Sequence, residues 1–73
     1  MNNIIEIETD FIKLDSFLKL AGIVSTGGEG KILISDGVVT VNGEICLMRG
    51  KKLYPDDTVS IDGDVYVCKK RKA

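Results

Sequence analysis

The sequence predicts an α+β fold in which two short helices pack on a small, mostly antiparallel sheet of β-hairpins. Three observations carry this expectation. Helix start and stop signals cluster between Asp15 and Gly37, in the first half of the chain. From Val38 onward, apolar and polar residues alternate around two glycine-containing turns, Asn42-Gly43 and Asp62-Gly63. The chain has 73 residues, 44% hydrophobic and 29% charged, enough for one globular domain with a thin core.

Residues 4–8 alternate isoleucine and glutamate at Ile5, Glu6, Ile7 and Glu8, the pattern of a short strand, which Thr9 and Asp10 break. Asp15 is the expected N-cap of a helix over residues 15–21. Leu14, Leu18 and Ala21 recur there at helical spacing, and Gly22 suits the left-handed position after the last turn. Thr26-Gly27-Gly28-Glu29 has the form of a capping box and predicts a second helix from Gly27 to about Ser35. That helix would partly bury Ile32, Leu33 and Ile34 and end at Gly37. Gly27 and Gly28 lie in its first turn, where two readings stand. Bare amides at the positive helix end can hold an anion such as phosphate, or the glycines can permit close helix packing.

Val39-Thr40-Val41 leads into Asn42-Gly43, a strong two-residue hairpin signal, and residues 44–48 return. Residues 58–61 and 65–68 flank Asp62-Gly63-Asp64. A three-residue loop there would pair Ile61 with Val65 and Val59 with Val67, keeping the apolar faces aligned, so a glycine bulge is expected. Between the hairpins lies the basic connection Arg49-Gly50-Lys51-Lys52. Residues 1–68 form the expected domain, and residues 69–73, with Lys69, Lys70, Arg71 and Lys72, a disordered basic tail.

Composition excludes much chemistry. With no histidine there is no imidazole base or metal ligand, and Cys46 and Cys68 stand too far apart to begin a zinc site. The sequence permits a disulfide between them, but lone cysteines in apolar, strand-like runs are expected as buried thiols. No phosphate-loop motif, signal-peptide head or membrane-length apolar run is present. The expectation is a cytoplasmic, non-enzymatic protein that uses no cofactor or metal and takes no small-molecule substrate.

The formal net charge of −1 conceals segregated signs. Residues 31–54 carry four bases against two acids, whereas residues 55–68 carry four aspartates and no base. At physiological salt, where charges are screened over about 8 Å, a local basic cluster acts independently of distant acids.

Several of these residues in order resemble a known family. Lys13-Leu14-Asp15, the second helix ending in Asp36-Gly37, Val39-Thr40-Val41-Asn42-Gly43, and Asp57 before Val59-Ser60-Ile61 are similar to the S4 (αL-motif) RNA-binding domain. Leu18-Lys19-Leu20, Gly27-Gly28-Glu29-Gly30-Lys31 and Arg49-Gly50-Lys51-Lys52-Leu53 further resemble its small standalone YaaA/YbcJ-type bacterial subfamily. The resemblance implies binding of structured RNA, ribosomal or transfer RNA, and association with the ribosome or its precursors. It implies two helices and a basic loop facing the duplex, with Lys13 at a position where the family commonly carries arginine.

The chain departs from the family where Gly27 replaces a common arginine and where Ile32, Ser35, Val38 and Thr40 replace common basic residues. The implied contact is therefore weaker and directed at the backbone. Its expected members are Lys13, Lys31, Arg49, Lys51 and Lys52 on phosphates, with Thr26, Gly27 and Gly28 at the helix start. Tyr54 and Tyr66, flanked by apolar residues, are expected at core edges rather than as base-stacking rings. A protein-interaction or regulatory module with little RNA affinity is the alternative.

Overall fold

The computed structural model describes residues 2–71. Its elements run β1 (Asn2–Ile7), β2 (Ile12–Lys13), α1 (Leu14–Leu20), α2 (Gly27–Ser35), β3 (Thr40–Val41), β4 (Glu44–Ile45), β5 (Lys52–Leu53), β6 (Thr58–Ile61) and β7 (Asp64–Lys70). Five strands form one sheet in the order β1-β7-β6-β3-β4, and β2 and β5 form a separate two-stranded ribbon. All pairings are antiparallel except that of β1 with β7. Two helices on a mostly antiparallel sheet are what the residue pattern predicts.

The core lies between sheet and helices. Leu14, Phe17 and Leu18 of α1 are fully buried, each burial contributing about 1.5–3 kcal/mol. They join Ile34 of α2, Val39 just before β3, and Leu53, Val59 and Cys68 from the strands in one apolar cluster. In α2, Ile34 is buried and Leu33 half-buried, but Ile32 is 61% exposed, contrary to expectation, because it lies on the helix face turned away from α1.

Helix α1 starts one residue earlier than predicted, with Lys13 as N-cap, and the Asp15 side chain does not cap it. The first amides find backbone acceptors instead. Leu14 N donates to Lys51 O at 2.8 Å and Asp15 N to Arg49 O at 3.1 Å, while the Asp15 carboxylate accepts from Ser16 N. At the other end Gly22 takes φ +75°, as the helix-stop signal predicts.

Helix α2 carries the expected cap. Thr26 Oγ1 accepts from Glu29 N at 3.2 Å, and Glu29 Oε1 reaches back to accept from Ser25 N. The glycines divide. A Cβ on Gly30 would sit 3.6 Å from Val24 Cγ2 and 3.8 Å from Asp15 O, so Gly30 marks the α1–α2 crossing with room for one methyl group. A Cβ on Gly27 would meet nothing within 4 Å, and one on Gly28 only the Thr26 hydroxyl at 3.8 Å, so close packing does not account for either glycine.

The β3–β4 hairpin has the predicted two-residue turn, with Asn42 at φ +51° and Gly43 at φ +87°. Strand β4 stops at Ile45 rather than residue 48, because the chain leaves the sheet edge to reach α1. Lys51 N donates to Met48 O there, making residues 48–51 a tight turn.

The β6–β7 connection corrects the expected three-residue loop. It is a two-residue turn with Asp62 at φ +52° and Gly63 at φ +83°, pairing Ile61 with Asp64 and Val59 with Tyr66. Positive φ at both positions matches the twist of the strands. Tyr66 and Cys68, not Val65 and Val67, continue the core side of Val59 and Ile61, so the apolar faces align without the longer loop. Val67 pairs with the exposed Ile4 of β1 on the outer face.

The basic end is also corrected. Lys69 and Lys70 belong to β7, and Arg71 N donates to Ile7 O at 2.8 Å. A loose tail cannot begin at residue 69, since β1 supplies a parallel partner up to Lys70. Lys69 pairs with Asp56, Lys70 with Asp10 at 2.7 Å, and Arg71 with Glu8 at 3.1 Å. The Lys70 hydrogen bond and charge hold the Asp10 carboxyl below its ordinary range. Lys72 lies outside the described residues. Cys46 is half-buried and Cys68 fully buried, both as free thiols, and burial, then Asp57 and Asp56, push the Cys68 thiol up.

Candidate nucleic-acid interface

The β2–β5 ribbon organises the basic residues. Its register sets Ile12 opposite Leu53 and Lys13 opposite Lys52. Leu53 is fully buried and Ile12 half-buried, so strand alternation turns Lys13 and Lys52 to the outer face, where both are exposed. Like charges directly opposite on a strand pair repel and destabilise it. Among the described residues neither lysine has a carboxylate partner.

Backbone hydrogen bonds bring the other elements to this ribbon. Arg49 and Lys51 lie on the turn whose carbonyls receive the first amides of α1, and both side chains are exposed. Asp15 therefore touches the basic turn through its amide and approaches Gly30 of α2 through its carbonyl. Lys31 follows Gly30 and is exposed. Lys13, Arg49, Lys51 and Lys52 thus surround the start of α1, and α2 crosses beside them.

The amide end of α2 with Gly27 and Gly28 is exposed. Its Thr26 hydroxyl accepts from the Glu29 amide and donates to Glu29 Oε1 at 3.5 Å, so Thr26 shapes the helix start rather than offering a free donor. None of Lys13, Lys31, Arg49, Lys51 and Lys52 forms an ion pair among the described residues, whereas Lys69, Lys70 and Arg71 all do. The surface divides its cations into a neutralised set at the chain's end and an uncompensated set around α1.

Two features escaped the sequence. The first is an aromatic pair. One residue beyond the Ile12–Leu53 pair, at the same end of the ribbon, Phe11 and Tyr54 have ring centroids 5.9 Å apart, and Lys52 Nζ sits 4.8 Å over the Phe11 ring. Tyr54 is 50% exposed and is no core edge, while Tyr66 is half-buried as expected. The signal that could have found the pair is period-2 alternation, with Phe11 and Lys13 on one side of Ile12.

The second feature is the role of Asn42 and Asp57. Asn42 Oδ1 accepts from Thr58 N at 3.0 Å, and Asn42 Nδ2 donates to Asp57 Oδ1 at 3.2 Å. Asp57 Oδ2 accepts from Tyr54 N at 2.7 Å, and Asp57 N donates to Tyr54 O at 3.0 Å. The turn at residues 54–57 has Pro55 at its first central position and Asp56 at φ +80° at its second. These two polar residues therefore tie the β3–β4 turn to the segment that follows β5.

A two-helix face carrying a basic turn, tied to a small sheet through an Asn-Gly hairpin, defines a class of domain. Residues 5–69 match the S4 domain, and the chain belongs to that family. It is 46% identical over 63 residues to a Bacillus subtilis (strain 168) protein described as "Probable ribosome maturation protein RlbA". The match covers 86% of this chain and 89% of that relative. The crystal structure of the 30S ribosomal protein S4e from Thermoplasma acidophilum superposes with a TM-score of 0.62 at 19% identity. It shares the fold over 82% of this chain, which spans 32% of that longer protein. Among the described residues no helix is long and apolar enough to cross a membrane.

Proposed function

We propose that this protein binds structured RNA, ribosomal or transfer RNA, and serves as a non-catalytic accessory factor in ribosome assembly or translation in the cytoplasm. The observation that carries this reading is the opposed, uncompensated Lys13–Lys52 pair, with Arg49 and Lys51 on the adjoining turn. A phosphate backbone supplies the negative charge that would relieve this repulsion. Arg49 has the planar fork for a bidentate phosphate grip, and Lys13, Lys31, Lys51 and Lys52 act as point charges. The Gly27 and Gly28 amides add a backbone contact at a helix start held by Thr26. Membership of the S4 family and the likeness to a protein described as acting in ribosome maturation support the same reading.

A second reading, a protein-interaction module, draws on the exposed Ile45, Leu47 and Met48 beside the β4 edge. Crosslinking the protein to RNA in cells and sequencing what co-purifies decides between them. Enrichment of a few ribosomal or transfer RNA sites is expected, and recovery of no RNA above background would favour the interaction module.

A further inference from the structure

We propose that Tyr54, buttressed by Phe11, is a stacking platform for an unpaired base of the bound RNA; this deepens the phosphate-binding reading and rests on it. The chain has four aromatic residues, of which Phe17 is fully buried and Tyr66 half-buried in the packed interior. The other two stand together on the outer face of the basic ribbon, tilted 45° to one another. The Lys52 ammonium occupies the face of Phe11. That leaves the Tyr54 ring, half exposed, as the accessible π-surface.

Its position costs little entropy to use. Asp57 holds the Tyr54 backbone at both amide and carbonyl, and Pro55 restricts the backbone of the residue before it, Tyr54. A paired base inside an A-form stem cannot reach such a ring, because it remains stacked between its neighbours. A bulged or looped-out base can. Lys52 and Lys13 beside the ring would hold the phosphates flanking that base. Aromatic stacking accepts any base, so the platform reads RNA shape rather than sequence.

The test compares two fluorescently labelled RNA hairpins, one with a fully paired stem and one with a single bulged adenosine in the same stem. The wild-type protein is expected to prefer the bulged hairpin about ten-fold, within the range for one stacked base. Tyr54→Leu, which keeps bulk against Phe11 but removes the π-face, should abolish that preference and leave affinity for the paired stem within about two-fold. Tyr54→Phe should retain the preference. Equal loss on both hairpins in the Tyr54→Leu variant would mark a merely structural residue and overturn the platform. Equal wild-type binding to both hairpins would overturn the platform alone and leave the phosphate contact standing. Binding to neither would remove both.

Discussion

Reversing Lys51 and Lys52 to glutamate is expected to weaken binding to structured RNA by about a hundred-fold or more at 0.1 M salt. Each neutralised phosphate releases about 0.7–0.9 of a counterion, which at that salt is worth somewhat under ten-fold in affinity. Two lost contacts approach a hundred-fold. The two new carboxylates then repel the phosphates that Lys13 and Arg49 would hold, since charges interact over about 10 Å under these conditions.

The fold should not suffer. Both side chains are exposed, and the turn is joined to α1 by backbone groups, Lys51 O and Arg49 O, that the substitutions leave in place. The cation–π contact of Lys52 with Phe11 is lost, at about 0.5–1 kcal/mol for an exposed site. A glutamate opposite Lys13 replaces repulsion by attraction and offsets that loss. Titration of a labelled RNA hairpin beside a thermal melt by circular dichroism reads both effects. An unchanged melt with retained RNA affinity would remove this turn from the interface.

The second large effect concerns stability. Asp57→Ala is expected to lower it by about 2 kcal/mol, the scale of hydrogen bonds to a charged acceptor. For a domain of this size that is a fall of about 8–16 °C in the thermal midpoint. The carboxylate accepts from Tyr54 N and Asn42 Nδ2, and its removal frees the segment that follows β5 from the β3–β4 turn. Asn42→Gly keeps the left-handed backbone at that turn while removing the side-chain bonds to Thr58 and Asp57. It isolates the tie from the conformational preference. The two substitutions should be less than additive in a double-mutant cycle, because they break one shared contact. Midpoints within a degree or two of wild type would show that the tie is not structural.

Much of this architecture is written in local signals. The Thr26–Glu29 cap, the stops at Gly22 and Gly37 and the Asn42-Gly43 turn are decided by residues a few positions apart, and the sequence displays them. What it hides depends on distant partners. The parallel strand β1 needs β7, some sixty residues away, and that pairing draws Lys69 and Lys70 out of a supposed tail. Strands β2 and β5 have two residues each, and alternation that sets Phe11 with Lys13 on one side of Ile12 does not reveal that these strands pair and place Lys13 opposite Lys52.

At Asp62-Gly63 the turn geometry, not the valine spacing, sets the register. A cysteine and a tyrosine, not the valines, form the core side of β7. A list of candidate interface residues was legible in the chain through its family resemblance. Their assembly around the start of α1 was not, because backbone groups rather than side-chain motifs make those joints.

The salt dependence of binding tests the central claim most directly. If Lys13, Lys31, Arg49, Lys51 and Lys52 hold phosphates, log affinity for an RNA hairpin plotted against log salt should fall with a slope of about −3 to −5, at roughly 0.7–0.9 per phosphate. Lys31→Ala alone should reduce the slope by about one and weaken different stem sequences almost equally. A slope near zero with affinity retained would contradict the account, since uncompensated cations would then contribute nothing to the contact.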